Sequence, residues 1–190
     1  LSTIDDESLI PEEDIVIALT KNGYIKRLTS DTFKAQHRGG RGVRGMATND
    51  NDVVDIMIYA RTHTDLLLFT NLGKVYRTRA YNVPEQARTG KGLPVVNFIN
   101  VEKDEKVMAI ITVDEYAEDK YLLFVTEGGI VKRTPIQEFE SIRKTGKIAI
   151  TLREGDSLLN VKEVKDDTIV GIAADTGKMV NFYANEVRPM

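Results

Sequence analysis

The side chains with the clearest chemistry stand together at Gln36-His37-Arg38-Gly39-Gly40-Arg41-Gly42, continued by Val43-Arg44-Gly45-Met46. A guanidinium fork binds phosphate oxygens two at a time. Glycine lets the backbone N–H groups come close to the same oxyanion. Arg38, Arg41 and Arg44, interleaved with Gly39, Gly40 and Gly42, therefore make a phosphate-binding loop. No nucleophile, base or metal-ligand set accompanies it. Arginine–glycine tracts also occur in disordered segments, usually many times over, so one copy alone is a weak signal.

The loop does recur, and in register. An offset of 50 carries Gln36, Arg38, Gly40, Arg41 and Gly42 onto Gln86, Arg88, Gly90, Lys91 and Gly92. A further 56 reaches Lys144, Gly146 and Lys147, a fainter copy. Charge follows the same rhythm: 21–47 carries a net +6, 74–92 a net +4 and 128–147 a net +3, although the whole chain is −3. Acids gather at 5–14, 102–119 and 154–167.

A repeat also positions these loops. Thr20-Lys-Asn-Gly23-Tyr-Ile-Lys-Arg27, Thr70-Asn-Leu-Gly73-Lys-Val-Tyr-Arg77, Thr126-Glu-Gly-Gly129-Ile-Val-Lys-Arg133 and Ala174-Asp-Thr-Gly177-Lys-Met-Val-Asn181 align without a gap. Each follows a short apolar run (15–19, 66–69, 121–125, 169–173) and precedes another run rich in β-branched or aromatic residues. Apolar run, Gly-bearing turn and second run predict a β-hairpin, the glycine supplying positive φ. Further β-like segments at 53–59, 107–113 and 158–164 bring each unit to several strands in roughly fifty residues, the size of a four-stranded propeller blade. Short turns of helix are expected only at 113–119 and 184–187. Arg27, Arg77 and Arg133 share a strand face with the apolar residue two positions earlier. Capping a core or pairing with acids accounts for them as well as facing a ligand does.

Composition removes other classes. The 190 residues contain no Cys and two His, His37 and His63, which excludes a disulfide framework and leaves little for a metal site. His63, within Arg61-Thr-His-Thr64, reads as an exposed loop residue, and the seven tyrosines as packing residues. No run approaches the roughly 18 apolar residues of a membrane helix, and the N-terminal stretch is acidic, which fits a cytosolic protein.

These residues resemble a known family. The heptad Gln36–Gly42 is similar to the GyrA box, and its flanks Asn22–Arg27 and Val43–Met46 are similar to the first blade of the C-terminal domain of DNA gyrase A. The resemblance covers the whole chain. His37 departs from it, standing where the family usually carries Arg or Lys. The corresponding topoisomerase IV domain tends to lack an intact box.

The resemblance implies an all-β, propeller-like β-pinwheel, with strands exchanged between neighbouring blades and a basic rim that wraps double-stranded DNA in a positive writhe. It implies DNA contact by Gln36, His37, Arg38, Gly39, Gly40, Arg41, Gly42 and Arg44, and by the surrounding cations Lys26, Lys34, Arg79, Arg88, Lys91, Lys132, Lys144 and Lys147. It also implies no cofactor in this chain. The cleaving Tyr and magnesium site belong to the N-terminal part of gyrase A and ATP to gyrase B, which would be the partners in a bacterial cytoplasmic holoenzyme. The family domain commonly has about six blades, whereas a fourth hairpin stops here at Met190, thirteen residues after Gly177. The expectation is a partial domain spanning 1–190. A propeller-like protein–protein scaffold, its rim charges serving solubility, is the rival reading.

Overall fold

The computed structural model describes residues 7–29 and 52–190. The described residues are built from short strands and single 3-10 turns. Two compact units are distinguished, one taking residues up to 67 and 77–103, the other 68–76 and 104–190.

In the first unit, β1 (Asp14–Thr20) and β2 (Tyr24–Thr29) form the first hairpin, pairing Ile15 with Thr29 through Leu19 with Ile25. Strand β3 (Val54–Arg61) lies on the free side of β1, and the two-residue β6 (Leu93–Pro94) lies on the free side of β2. The second hairpin, β4 (Asp65–Thr70) and β5 (Lys74–Arg79), is shared between the units, its ends falling in the first and its turn in the second. There β7 (Val107–Val113) and β10 (Lys147–Ile148) complete the order β10-β5-β4-β7.

Strands β8 (Tyr121–Thr126), β9 (Val131–Pro135) and β11 (Leu158–Val164) make a three-stranded sheet in the order β11-β8-β9. Among the described residues, strands β12 (Ile169–Ala173) and β13 (Met179–Tyr183) pair only with each other. The repeat units are therefore realised as sheets of four, four, three and two strands.

The hairpin turns follow the sequence. Gly23, Gly73, Gly129 and Gly177 have φ of +87°, +83°, +86° and +81°, the left-handed region that side chains with a Cβ disfavour. Strands β1 and β4 are interior to their sheets, and their apolar side chains are buried on both faces, which explains their continuous rather than alternating apolar runs. In the second unit Phe69, Phe124 and Phe139 meet edge-on or tilted, with centroids 5.5 to 6.1 Å apart.

Helical turns need a correction. Residues 184–186 form the expected turn, but 113–119 do not. Single 3-10 turns instead follow the second hairpin strand at 80–82, 136–139 and 184–186, each beginning seven residues after the turn glycine. One turn is too short to leave an apolar period in sequence.

Candidate nucleic-acid interface

The heptad Gln36–Gly42, with Lys34 and Arg44, lies outside the described residues. Its second copy, 86–92, is described, and it is docked almost residue by residue on β2. The Arg27 amide donates to Pro84 O at 3.0 Å and the Gln86 amide to Arg27 O at 3.1 Å. Arg27 Nε adds a bond to Val83 O at 3.0 Å. Beyond the loop, Leu93 pairs with Ile25 and Pro94 with Tyr24. Gly92, with φ +91°, must stay glycine, since a Cβ there would sit 2.7 Å from Ile25 O.

Lys26 occupies the middle of this seat. Its side chain was expected at DNA, and the structure corrects that: Lys26 is 2% exposed, and its Nζ donates to Arg88 O at 2.9 Å and Gly90 O at 2.8 Å. Burial pushes its pKa below the ordinary lysine value. The exposed Lys91 places Nζ 4.4 Å from the Tyr24 ring centroid, a cation–π contact that leaves the ammonium at the surface. Arg88 is half-buried.

The third loop is docked on β5 in the corresponding way, with one change of register. Its turn, closed by the Gly146 amide on Arg143 O at 2.9 Å, matches the Ala87–Gly90 turn. The exchanged strand follows two residues sooner, so that Lys147 pairs with Val75 as Leu93 pairs with Ile25. The sequence offset equating Lys147 with Lys91 is thereby corrected: Lys147 stands in the exchanged strand. Arg143, Lys144 and Lys147 are exposed. Lys147 Nζ donates to Glu138 O at 2.9 Å and lies 5.8 Å from the Phe139 ring centroid. Half-buried Lys132 donates from Nζ to Ala149 O at 3.0 Å, and first burial and then the Lys147 charge lower its pKa.

Other cations are already engaged. Arg79, expected at DNA, is held by Glu7 Oε1 at 3.0 Å, Asp65 Oδ1 at 3.2 Å and His63 O at 2.9 Å, with its side chain 42% exposed. Arg77 pairs with Asp65 at 3.5 Å. The buried Arg133 donates to Val187 O and Asp166 and stacks on Tyr121. Core capping and pairing thus account for Arg27, Arg77 and Arg133. His63 also departs from the sequence reading: it is half-buried, with Nδ1 3.0 Å from Glu12 Oε2 and Nε2 2.8 Å from Ile10 O. Its partners lie about fifty residues upstream, and no local pattern signals them. The described residues hold no group of three or more His, Asp or Glu able to bind a metal ion, and none of their helices is long and apolar enough to cross a membrane.

The family model for the DNA gyrase C-terminal domain, beta-propeller, matches residues 14–58, 64–114 and 120–165, one stretch for each of the first three repeats. The chain belongs to this family. Among curated relatives, the DNA gyrase A protein of Ureaplasma parvum serovar 3 is 48% identical over 189 residues, covering 100% of this chain and 22% of the relative. That of Halalkalibacterium halodurans is 45% identical over 186 residues, covering 98% and 22%. The gyrase-type chain thus spans about a fifth of the length of these relatives. Of solved structures, a topoisomerase IV C-terminal domain superimposes with a TM-score of 0.78 at 25% identity, covering 96% of this chain and 55% of the other. A DNA gyrase A C-terminal domain gives 0.68 at 27%, covering 94% and 57%.

Proposed function

We propose that this chain binds duplex DNA through the basic loops of successive repeats and bends it around them with positive writhe, so that the parent topoisomerase introduces negative supercoils. The observation that carries the reading is recurrence. A phosphate-binding heptad, complete at Gln36–Gly42, returns in weaker form in loops that the structure seats on a preceding hairpin. Contacts to backbone phosphates by Arg38, Arg41, Arg44, Arg88, Lys91 and Lys144 position the duplex without reading bases, leaving sequence preference to the ease of bending. Lys34, His37, Lys132 and Lys147 add further cationic or ionisable contacts in this reading.

The chain itself performs no bond chemistry in this reading. Strand cleavage with magnesium falls to the N-terminal part of gyrase A and ATP use to gyrase B, in a bacterial cytoplasmic enzyme. One solved neighbour is a topoisomerase IV domain, but the intact heptad and the gyrase names of the curated relatives favour gyrase.

Wrapping is tested by nick ligation of plasmid with the protein bound, followed by the linking-number distribution after its removal. A positive shift is expected, lost in Arg38→Ala/Arg41→Ala. Affinity should fall with log[salt] at about −0.9 per phosphate neutralised, near −5 for about six contacts, and the double substitution should flatten that slope by about 2. Salt-insensitive binding with unchanged topology would leave the scaffold reading in its place.

A further inference from the structure

The second basic loop holds a feature that its charge does not explain. Lys26 buries an ammonium against two neutral carbonyls, and no carboxylate pairs with it among the described residues. Burying an amine is costly, and a Leu or Met would fill the same space. Arg88 and Gly90 are half-buried and alternate with the exposed Thr89 and Lys91. What the contact adds is orientation.

Arg88 O belongs to the peptide joining residues 88 and 89, and Gly90 O to the one joining 90 and 91. No peptide bond in the described chain is cis. In a trans peptide the N–H points opposite to the C=O. Clamping both carbonyls toward Lys26 Nζ therefore turns the Thr89 and Lys91 amides the other way, toward solvent. Thr89 and Lys91 are exposed, and neither amide donates to a protein acceptor among the described residues, whereas the intervening Gly90 amide closes the turn on Ala87 O at 2.8 Å. Two such N–H groups two residues apart, in a loop that also carries the Lys91 ammonium, are the kind of donors an oxyanion site uses.

We propose that the Thr89 and Lys91 amides bind one DNA phosphate, and that Lys26 is the positioning residue that presents them from the preceding repeat. This rests on the DNA-binding reading above, and it reassigns Lys26 from phosphate ligand to scaffold of a phosphate site.

The test uses duplex affinity as a function of salt for the wild type, Lys26→Met, Lys26→Arg, Thr89→Pro and the Lys26→Met/Thr89→Pro pair. Proline lacks the N–H and leaves charge unchanged. Lys26→Met and Thr89→Pro should each weaken binding about tenfold, the scale of a hydrogen bond to a charged group. Because amides carry no net charge, the salt slope should stay that of the wild type. Lys26→Arg, which keeps the donors, should restore most of the affinity. The pair should be no weaker than Lys26→Met alone, which already releases both amides.

A slope reduced by about 1 in Lys26→Met would mean that Lys26 itself neutralises a phosphate, and would overturn the proposal. Fully additive losses, or no loss in Thr89→Pro, would also overturn it. If Lys26→Met does not fold, Thr89→Pro still decides the matter, since an unchanged affinity there overturns the proposal. If the wild type shows no salt-sensitive DNA binding, the functional reading fails separately. Titration with inorganic phosphate, read at the Thr89 and Lys91 amide resonances, then tests the anion site by itself: selective shifts support it, and their absence sinks it.

Discussion

Asp156 shows how one side chain holds a hairpin turn from outside. Its carboxylate accepts the amides of Gly128 and Ser157, both at 2.8 Å, and these bonds, with the Thr126 hydroxyl as the largest influence, keep its pKa below the ordinary carboxylate value. Asp52 plays the same part in the first repeat, accepting the Asn22 amide at 3.1 Å. A carboxyl whose pKa is lowered by folding stabilises the protein above its unfolded value and loses that contribution as pH falls through the folded one. Asp156→Asn should therefore lower the melting temperature at neutral pH, and the gap from wild type should narrow below about pH 4. A gap independent of pH would remove the charge from the explanation. Asp156 was legible only as part of an acidic block, because the turn it holds, at Gly128, lies 28 residues away.

At the scale of elements, the exchanged strand makes one repeat the template for another's loop. Strand β6 has only two residues, and two ladder pairs hold little by themselves. Its seat depends on the close approach of Gly92 to Ile25 O and on the Lys26 clamp. Gly92→Ala should cost more than about 1 kcal/mol, since positive φ and a 2.7 Å contact with backbone both oppose a Cβ. A urea midpoint reads that loss, and amide exchange should place it at 86–94 and β2. An unchanged midpoint would show that the loop can shift off β2 without penalty. The hairpins themselves were visible in sequence, because apolar runs and turn glycines are local. Which hairpin receives which loop was not, since the paired residues Ile25 and Leu93 lie in different repeats.

For the whole molecule, protection should grade along the chain. Core strands β1 and β4 are interior to four-stranded sheets. The β12–β13 sheet has two strands, and Ile169, Met179, Val180 and Tyr183 are 51 to 66% exposed. An isolated two-stranded hairpin is marginally stable, and amide exchange follows local opening. Exchange in 169–183 should therefore be faster than in 15–19 and 66–69 by about a hundredfold or more; equal rates would show that the last hairpin opens only with the rest.

The repeat, the all-β class and the turn glycines were determined by sequence alone, and the Arg/Gly heptad proposed to bind phosphate is likewise a sequence feature, because each depends on residues within a few positions of one another. The standing of the cations was decided only by tertiary structure. Lys26, Arg79 and Arg133 look like Lys91 and Lys144 in the sequence, yet the first three meet carbonyls or carboxylates from distant segments while the last two reach the surface. A basic side chain is drawn to whichever acceptor the fold brings within its reach, and only the packing of distant strands settles whether that acceptor belongs to the protein or remains to be supplied by a ligand.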